Sequence, residues 1–144
     1  MQIRELDLKE LQTAWEVVSQ LRTKIEYKEF EDLVYDMREG NYTMVGIFEK
    51  SKLITYAGIT ISTNLYHKRH LFIHELVTDM HYRSQGYGKM MLEYLSDYAK
   101  VGACENIVLS SGLQREEAHT FYEKNEFTKA SYVFVKALSS CNTF

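Results

Sequence analysis

The stretch ELVTDMHYRSQGYGKMMLEYL, residues 75–95, decides the fold because its period changes halfway along. Its upstream part belongs to a strand predicted from Leu71 to Met80 (LFIHELVTDM). There Leu71, Ile73, Glu75 and Val77 fall on one face, and Phe72, His74, Leu76 and Thr78 on the other. Its downstream part opens a helix from Gly86 to Val101, with Leu92, Leu95 and Ala99 inward and Gly102 as the stop. Asn106 to Ser110 (NIVLS) follows as a short strand, continuously apolar from Ile107 to Leu109, as a buried parallel strand would be. Strand, glycine-rich turn, helix and strand together read as a β-α-β crossover.

The same reading extends in both directions. Gln2 to Leu6 is a first strand. Asp7 with Glu10 three residues on is a capping-box start, and Leu8, Leu11, Trp15, Val18 and Leu21 recur at helical spacing. A second helix carries Tyr27, Phe30, Leu33, Val34 and Met37 on one face and ends at Gly40. Tyr42 to Glu49, a turn at Lys50-Ser51-Lys52, and Leu53 to Thr63 form two strands, the second rich in β-branched residues. A polar loop around His67-Lys68-Arg69 leads into the strand at Leu71. Downstream, Arg115 to Asn125 is a last helix and Ser131 to Leu138 (SYVFVKAL) a last strand. The order β-α-α-β-β-β-α-β-α-β places hairpins before the crossover. It predicts an α/β domain with a mixed, mostly antiparallel central sheet and helices on both faces.

Length and composition restrict the function. A chain of 144 residues fits one domain, residues 1–144, and can bury roughly two-thirds of its unfolded surface. With 17 basic and 20 acidic side chains its formal charge is −3, which argues against nucleic-acid binding. No apolar run approaches a membrane span and no signal-peptide core opens the chain, so the expected setting is cytoplasmic. Cys104 and Cys141 have no partners at metal-ligand spacing and read as reduced thiols. His70 and His74 stand at i, i+4 without a third ligand in register, so no metal is expected.

Three groups carry possible chemistry. Arg83-Ser84-Gln85-Gly86-Tyr87-Gly88, with Lys89, lies where a strand gives way to a helix. The first N–H groups of a helix lack partners and sit at the positive end of its dipole. Glycines there let a phosphate approach the backbone, and Arg83 and Lys89 add charge. The spacing R-x-x-G-x-G is neither the dinucleotide G-x-G-x-x-G nor a P-loop. Glycines that merely let the helix pack on the sheet are the plainer alternative, against which Arg83 and the strand-turn-helix setting weigh. Glu75 is a carboxylate on an otherwise apolar strand face. Burial there would disfavour its charged form, and a carboxylate titrating nearer neutrality serves as a general base; a solvated position at a splayed edge is the alternative. Tyr122, in Ala118-His119-Thr120-Phe121-Tyr122-Glu123, is a core residue or a proton donor, and His119 one turn earlier either orients it or caps the helix surface.

These segments together resemble the GNAT superfamily of acetyl-CoA-dependent N-acetyltransferases, on ELVTDMHYRSQGYGKMMLEYL, on SSGLQREEAHTFYEKNEF (residues 110–127) and on their order and spacing. The element order resembles that fold along essentially the whole chain. The resemblance puts the signature Q/R-x-x-G-x-G/A on Arg83, Gly86 and Gly88. It implies acetyl-CoA as cosubstrate, with its pyrophosphate on the amides from Ser84 through Gln85, Gly86, Tyr87 and Gly88 to Lys89. The strand before the signature is expected to splay from the next parallel strand, and the pantetheine arm to bond with backbone at Leu76, Val77 and Thr78. The last-helix tyrosine falls on Tyr122 as proton donor and the strand carboxylate on Glu75 as base. Two departures stand out: Glu126 occupies the family's usual glycine in the turn after that helix, and Asp79-Met80 stands where a proline often follows the signature strand.

The implied reaction is direct transfer to an amine, with a backbone N–H near Val77 polarising the thioester carbonyl. A small-molecule amine is the expected acceptor, ahead of a peptide amine, in a site built from residues 22–30 and 64–70. Dimerisation is common among such domains, and the last strand offers a place for a homodimer. The rival function is a non-catalytic acyl-CoA-binding sensor or interaction module.

Overall fold

The computed structural model describes residues 1–138 and divides into two compact units that meet in sequence at Leu109 and Ser110. The first unit holds one five-stranded sheet of β1 (Gln2–Leu6), β2 (Thr43–Glu49), β3 (Lys52–Asn64), β4 (Lys68–Thr78) and β5 (Asn106–Leu109), in that spatial order. β1 to β4 pair antiparallel, and β5 joins β4 in parallel after the crossover helix. Helices α1 (Leu11–Val18) and α2 (Tyr27–Arg38) precede β2, and α3 (Tyr87–Val101) makes the crossover. The second unit contains α4 (Glu116–Lys124).

Local chemistry explains most boundaries. Asp7 Oδ1 accepts the Lys9 N–H at 2.8 Å and Glu10 Oε1 the Asp7 N–H at 3.1 Å, the reciprocal bonds of a capping box. They cap a single 3-10 turn, so α1 proper begins at Leu11. α2 stops at Arg38, and the left-handed residue after it is Asn41 (φ 68°) rather than Gly40. Asparagine tolerates that region through local polar contacts. Lys50 and Ser51 both take positive φ in the β2–β3 hairpin, the geometry of a two-residue primed turn. The expected loop at 67–69 is tighter than its composition suggests. Asn64 Oδ1 accepts the N–H groups of Tyr66 (3.0 Å) and His67 (2.6 Å), and β4 is already paired at Lys68.

The sheet of the first unit is covered on both faces. On one, α1 and α2 close over Leu6, Met44, Phe48, Tyr56 and Val77 with Val17, Val18, Phe30 and Val34. On the other, α3 packs on β3 and β4, burying Met91, Leu95 and Ala99, while Ile59, Leu71 and Ile73 are buried in those strands. α2 meets α1 along a narrow seam centred on Phe30 and Val34. Leu33, expected inward, lies off that seam and is half exposed.

Two strands also depart from the sequence pattern. The strand at Ser131–Leu138 does not form; the segment has no regular structure and pairs with no strand among the described residues. β-branched composition describes a side-chain fit to a pleated surface and cannot replace a ladder partner. Val133, Phe134 and Val135 are accordingly exposed, Phe134 at 92%. The second departure concerns β4. Gly58 of β3 lies opposite Glu75, but the next pair is Ile59 with Ile73, so His74 is an extra residue, a β-bulge. The bulge interrupts the period-2 alternation. Glu75 and Val77 therefore do not share a face with Leu71 and Ile73; Val77 and its partner Tyr56 belong to the α1/α2 layer.

Candidate active site

The bulge coincides with the place where β4 leaves β5. The parallel ladder runs from His70–Asn106 to Ile73–Leu109 and stops, while β4 continues to Thr78. Among the described residues, β4 thus has a strand partner only on its β3 side from His74 onward. The Asp79 N–H bonds Ile54 O at 2.8 Å, which fixes the parity of the antiparallel ladder. Val77, opposite Tyr56, turns its backbone groups to β3. Leu76 and Thr78 turn theirs to the unpaired edge.

β4 ends in a turn built by Asp79. Its carboxylate accepts the His81 N–H (2.9 Å) and Gln20 Nε2 (3.2 Å), and Gln20 Oε1 accepts the Met80 N–H (2.8 Å). Burial pushes the Asp79 carboxyl up, but these bonds prevail and hold it below its ordinary value. The chain then reverses through Ser84 (φ 63°) and Gly86 (φ 89°) into α3. A Cβ on Gly86 would meet nothing within 4 Å, so the left-handed backbone, not crowding, calls for glycine there.

No side chain caps α3, and its first intrahelical bond runs from the Met90 N–H to Gly86 O at 3.0 Å. The N–H groups of Tyr87, Gly88 and Lys89 precede that bond and have no intrahelical partner. Arg83, Ser84, Gln85, Gly86 and Lys89 are exposed around them. Arg83 Nε donates to Thr78 O (3.1 Å), drawing the guanidinium back along the turn. The Tyr87 hydroxyl donates to Glu49 Oε2 (2.7 Å), so its ring ties α3 to β2 and only its amide is left for an anion. An uncapped, glycine-led helix start with two cations beside it fits a phosphate.

Glu75 is far from a lone carboxylate in an apolar layer. Its Oε1 accepts the Tyr42 hydroxyl at 2.6 Å and its Oε2 pairs with Arg22 Nη2 at 3.3 Å; the side chain is 13% exposed. The Tyr42 hydroxyl also lies 2.8 Å from that of Tyr56. Burial pushes both phenols far above the ordinary tyrosine value, and for Tyr42 the neighbouring Tyr56 and Glu75 add to it. A Cβ on Gly58 would overlap the Tyr42 hydroxyl and touch Glu75 Oε1, so the glycine makes the space in which these groups meet. Sequence reasoning passed over Tyr42 and Tyr56 because no motif surrounds them. The available signal was Gly58, an isolated glycine inside a β-branched strand, which marks close approach.

The histidines are engaged elsewhere. His74 Nε2 lies 2.9 Å from Thr60 Oγ1, and burial first, with Arg22 assisting and Glu75 opposing, lowers its pKa. His70 is buried, with Nδ1 2.8 Å from Lys68 O. Among the described residues no three His, Cys, Asp or Glu side chains are grouped to hold a metal ion. Cys104 is a partly buried free thiol, and Cys141 lies outside the described residues.

Tyr122 belongs to the second unit. Its ring stands edge-on to Phe121 (5.5 Å) and Phe127 (5.7 Å); burial raises its pKa and Arg115 opposes this. His119 Nε2 donates to Gly112 O at 2.8 Å, so this ring ties α4 to the preceding loop.

The fold is that of known acetyltransferases. The glucosamine-6-phosphate N-acetyltransferase of Arabidopsis thaliana matches with a TM-score of 0.74 at 21% identity, over 96% of this chain and 98% of that one. The chain belongs to the Acetyltransferase (GNAT) family, whose profile matches residues 3–127. The uncharacterized N-acetyltransferase YhdJ of Bacillus subtilis is 35% identical over 125 residues, 85% of this chain and 88% of that protein. The aminoalkylphosphonate N-acetyltransferase of Salmonella typhimurium is 23% identical over 120 residues, 82% and 78% of the two chains. The protein is an acetyltransferase of a family that generally uses acetyl-CoA. No helix among its described residues is long and apolar enough to cross a membrane.

Proposed function

We propose that this protein moves an acetyl group from acetyl-CoA to the primary amine of a small molecule by direct transfer. The observation that carries the reading is the uncapped, glycine-led start of α3, reached directly from the edge of β4 that β5 leaves at Ile73. Acetyl-CoA, when bound, supplies an activated acyl group as a thioester. The amides of Tyr87, Gly88 and Lys89 hold its pyrophosphate, assisted by Ser84, Gln85 and Gly86 and by the charges of Arg83 and Lys89. Leu76 and Thr78, whose backbone faces the free edge, bond the pantetheine arm and direct an N–H at the carbonyl oxygen. Val77, between them on β4 and paired with Tyr56 of β3, holds the strand in place behind them. Glu75 takes a proton from the acceptor amine, and Tyr122 holds the proton that the departing sulfur takes up.

Several further features follow from this reading. The family match spans both compact units, which supports their working as one acetyltransferase domain. The Salmonella relative is named for a small amine bearing a phosphonate, which supports a small acceptor over a protein. The exposed apolar side chains from Tyr132 to Leu138 support a homodimer. The reaction is assigned to the cytoplasm, where acetyl-CoA is used.

The test is calorimetric titration with acetyl-CoA of the wild-type protein beside Arg83→Ala and Gly86→Glu variants. Thiol release is then followed with a panel of amines including 2-aminoethylphosphonate, a polyamine, an amino sugar and a lysine peptide. Saturable binding weakened in both variants, with a small amine turned over fastest, is expected. A folded wild-type protein that binds no acetyl-CoA would overturn the reading.

A further inference from the structure

We infer that Tyr42 is a positioning residue that gives the two oxygens of Glu75 different tasks: Oε1 is locked into the fold, and Oε2 takes the proton of the acceptor amine. The inference rests on the reading of Glu75 as base and specifies which atom acts and what aims it.

The geometry starts from the bulge. Because His74 is extra, Glu75 sits opposite Gly58 in the layer beneath α1 and α2. The space that Gly58 leaves is filled by the Tyr42 hydroxyl, which donates its one proton to Oε1 at 2.6 Å. Tyr56, buried and 2.8 Å away, then has only one role open to it, donating to the Tyr42 oxygen. The three groups form a directed row, Tyr56 to Tyr42 to Oε1, with every proton assigned.

Oε2 is held more loosely. Its partner is Arg22 Nη2 at 3.3 Å, on a side chain that is 45% exposed. The same nitrogen is anchored 2.8 Å from His74 O, so Arg22 keeps a partner when Oε2 changes state. The titratable groups facing Glu75 are Arg22 from beyond α1, Tyr42 from the α2–β2 junction, Tyr56 from β3 and its neighbour His74 on β4. Burial holds the two phenols protonated and favours neutral His74. Oε2 is thus the receptive atom. One N–H bond of the acceptor ammonium breaks, the nitrogen keeps the electron pair with which it attacks, and an O–H bond forms on Oε2. A carboxylate already fixed at its other oxygen needs no reorientation at that moment.

The experiment measures kcat against pH by thiol release, with acetyl-CoA and the fastest amine of the panel above. The proteins are wild type, Tyr42→Phe, Tyr56→Phe and Glu75→Gln. Tyr42→Phe removes a bond that favours the carboxylate. Its acid limb is expected to move to higher pH by roughly one unit, tenfold in the proton equilibrium. Its kcat near the limb falls accordingly, while its affinity for acetyl-CoA stays within about twofold of wild type. Tyr56→Phe alters the same layer without touching Glu75 and is expected to change the melting temperature but leave the limb in place. If Tyr42→Phe does not fold, the Tyr42→Phe/Tyr56→Phe double variant replaces it, since it leaves no buried hydroxyl unpaired. A Tyr42→Phe profile superimposable on wild type, or an equal shift from Tyr56→Phe, overturns the inference alone. An acid limb that survives in Glu75→Gln, or no turnover with any amine, overturns the base assignment and this inference with it.

Discussion

Glu126→Gly is expected to raise the melting temperature by about 3 °C, for a reason visible in the backbone bonds after α4. The Phe127 N–H bonds Tyr122 O at 3.0 Å and the Glu126 N–H bonds Glu123 O at 3.3 Å. With Asn125 as C-cap, these are the two bonds of a Schellman motif, and the Tyr122–Phe127 ring contact is its usual apolar companion. The residue at its left-handed position is Glu126, with φ 73°. A side chain there costs roughly 1–2 kcal/mol. Glycine removes that strain but loses more chain entropy on folding, about 0.5–1 kcal/mol. Removing an exposed negative charge from the negative end of the helix returns a further ~0.3 kcal/mol. The balance is a stabilisation of about 1 kcal/mol, worth roughly 3–4 °C in a chain of this length. Calorimetric melting of Glu126→Gly, Glu126→Asn and Glu126→Ala separates the contributions. Gly is expected to rank first, Asn second because it tolerates the left-handed region, and Ala near wild type because it loses the charge but keeps the Cβ. A gain from Ala equal to that from Gly would refute strain as the cause, and so would a loss from Gly.

Other consequences are open to measurement. Tyr122→Phe is expected to lower kcat by about 10²–10⁴-fold with little change in acetyl-CoA affinity, the range of a general acid; equal losses in both would leave Tyr122 a packing role only. Gly58→Ala forces a Cβ onto the Tyr42 hydroxyl and Glu75 Oε1, and overpacking typically costs about 1–3 kcal/mol. Denaturant unfolding is expected to show that loss, whereas the same change at Gly40, where a Cβ meets only Met37 O at 3.5 Å, is expected to show far less. His74 has a lowered pKa in the fold, so the unfolded chain binds the extra proton first. Its contribution to stability is complete above the ordinary histidine value of 6.5 and is lost as pH falls through the folded value. Stability measured from pH 7 to pH 5 is expected to decline less steeply in His74→Gln, and parallel slopes would remove His74 as the cause.

What the sequence showed and what it withheld divide along a physical line. Asp7 with Glu10, the β-α-β order and the glycines after Arg83 were legible because each depends on residues a few positions apart, and short-range hydrogen bonding and backbone strain act at that distance. The fate of Ser131–Leu138 was not legible, because a strand is defined by its partner and residue type carries no information about whether one is present. The site lies between these cases. Glu75 was recognisable as a carboxylate in an apolar strand, but the face assigned to it assumed unbroken alternation, and His74 breaks it. That one extra residue turns Glu75 away from the α3 side, where a carboxylate would find Leu71 and Ile73. It delivers Glu75 to Tyr42 and Arg22, and it does so where β4 separates from β5. A single backbone irregularity thus aims the proposed base and accompanies the opening of the edge proposed for the thioester. Gly58 on the neighbouring strand records the same event from the other side, since a β-branched residue there would exclude Tyr42. Bulge, glycine and phenol act as one device, and the glycine is its only member that pattern alone could have exposed.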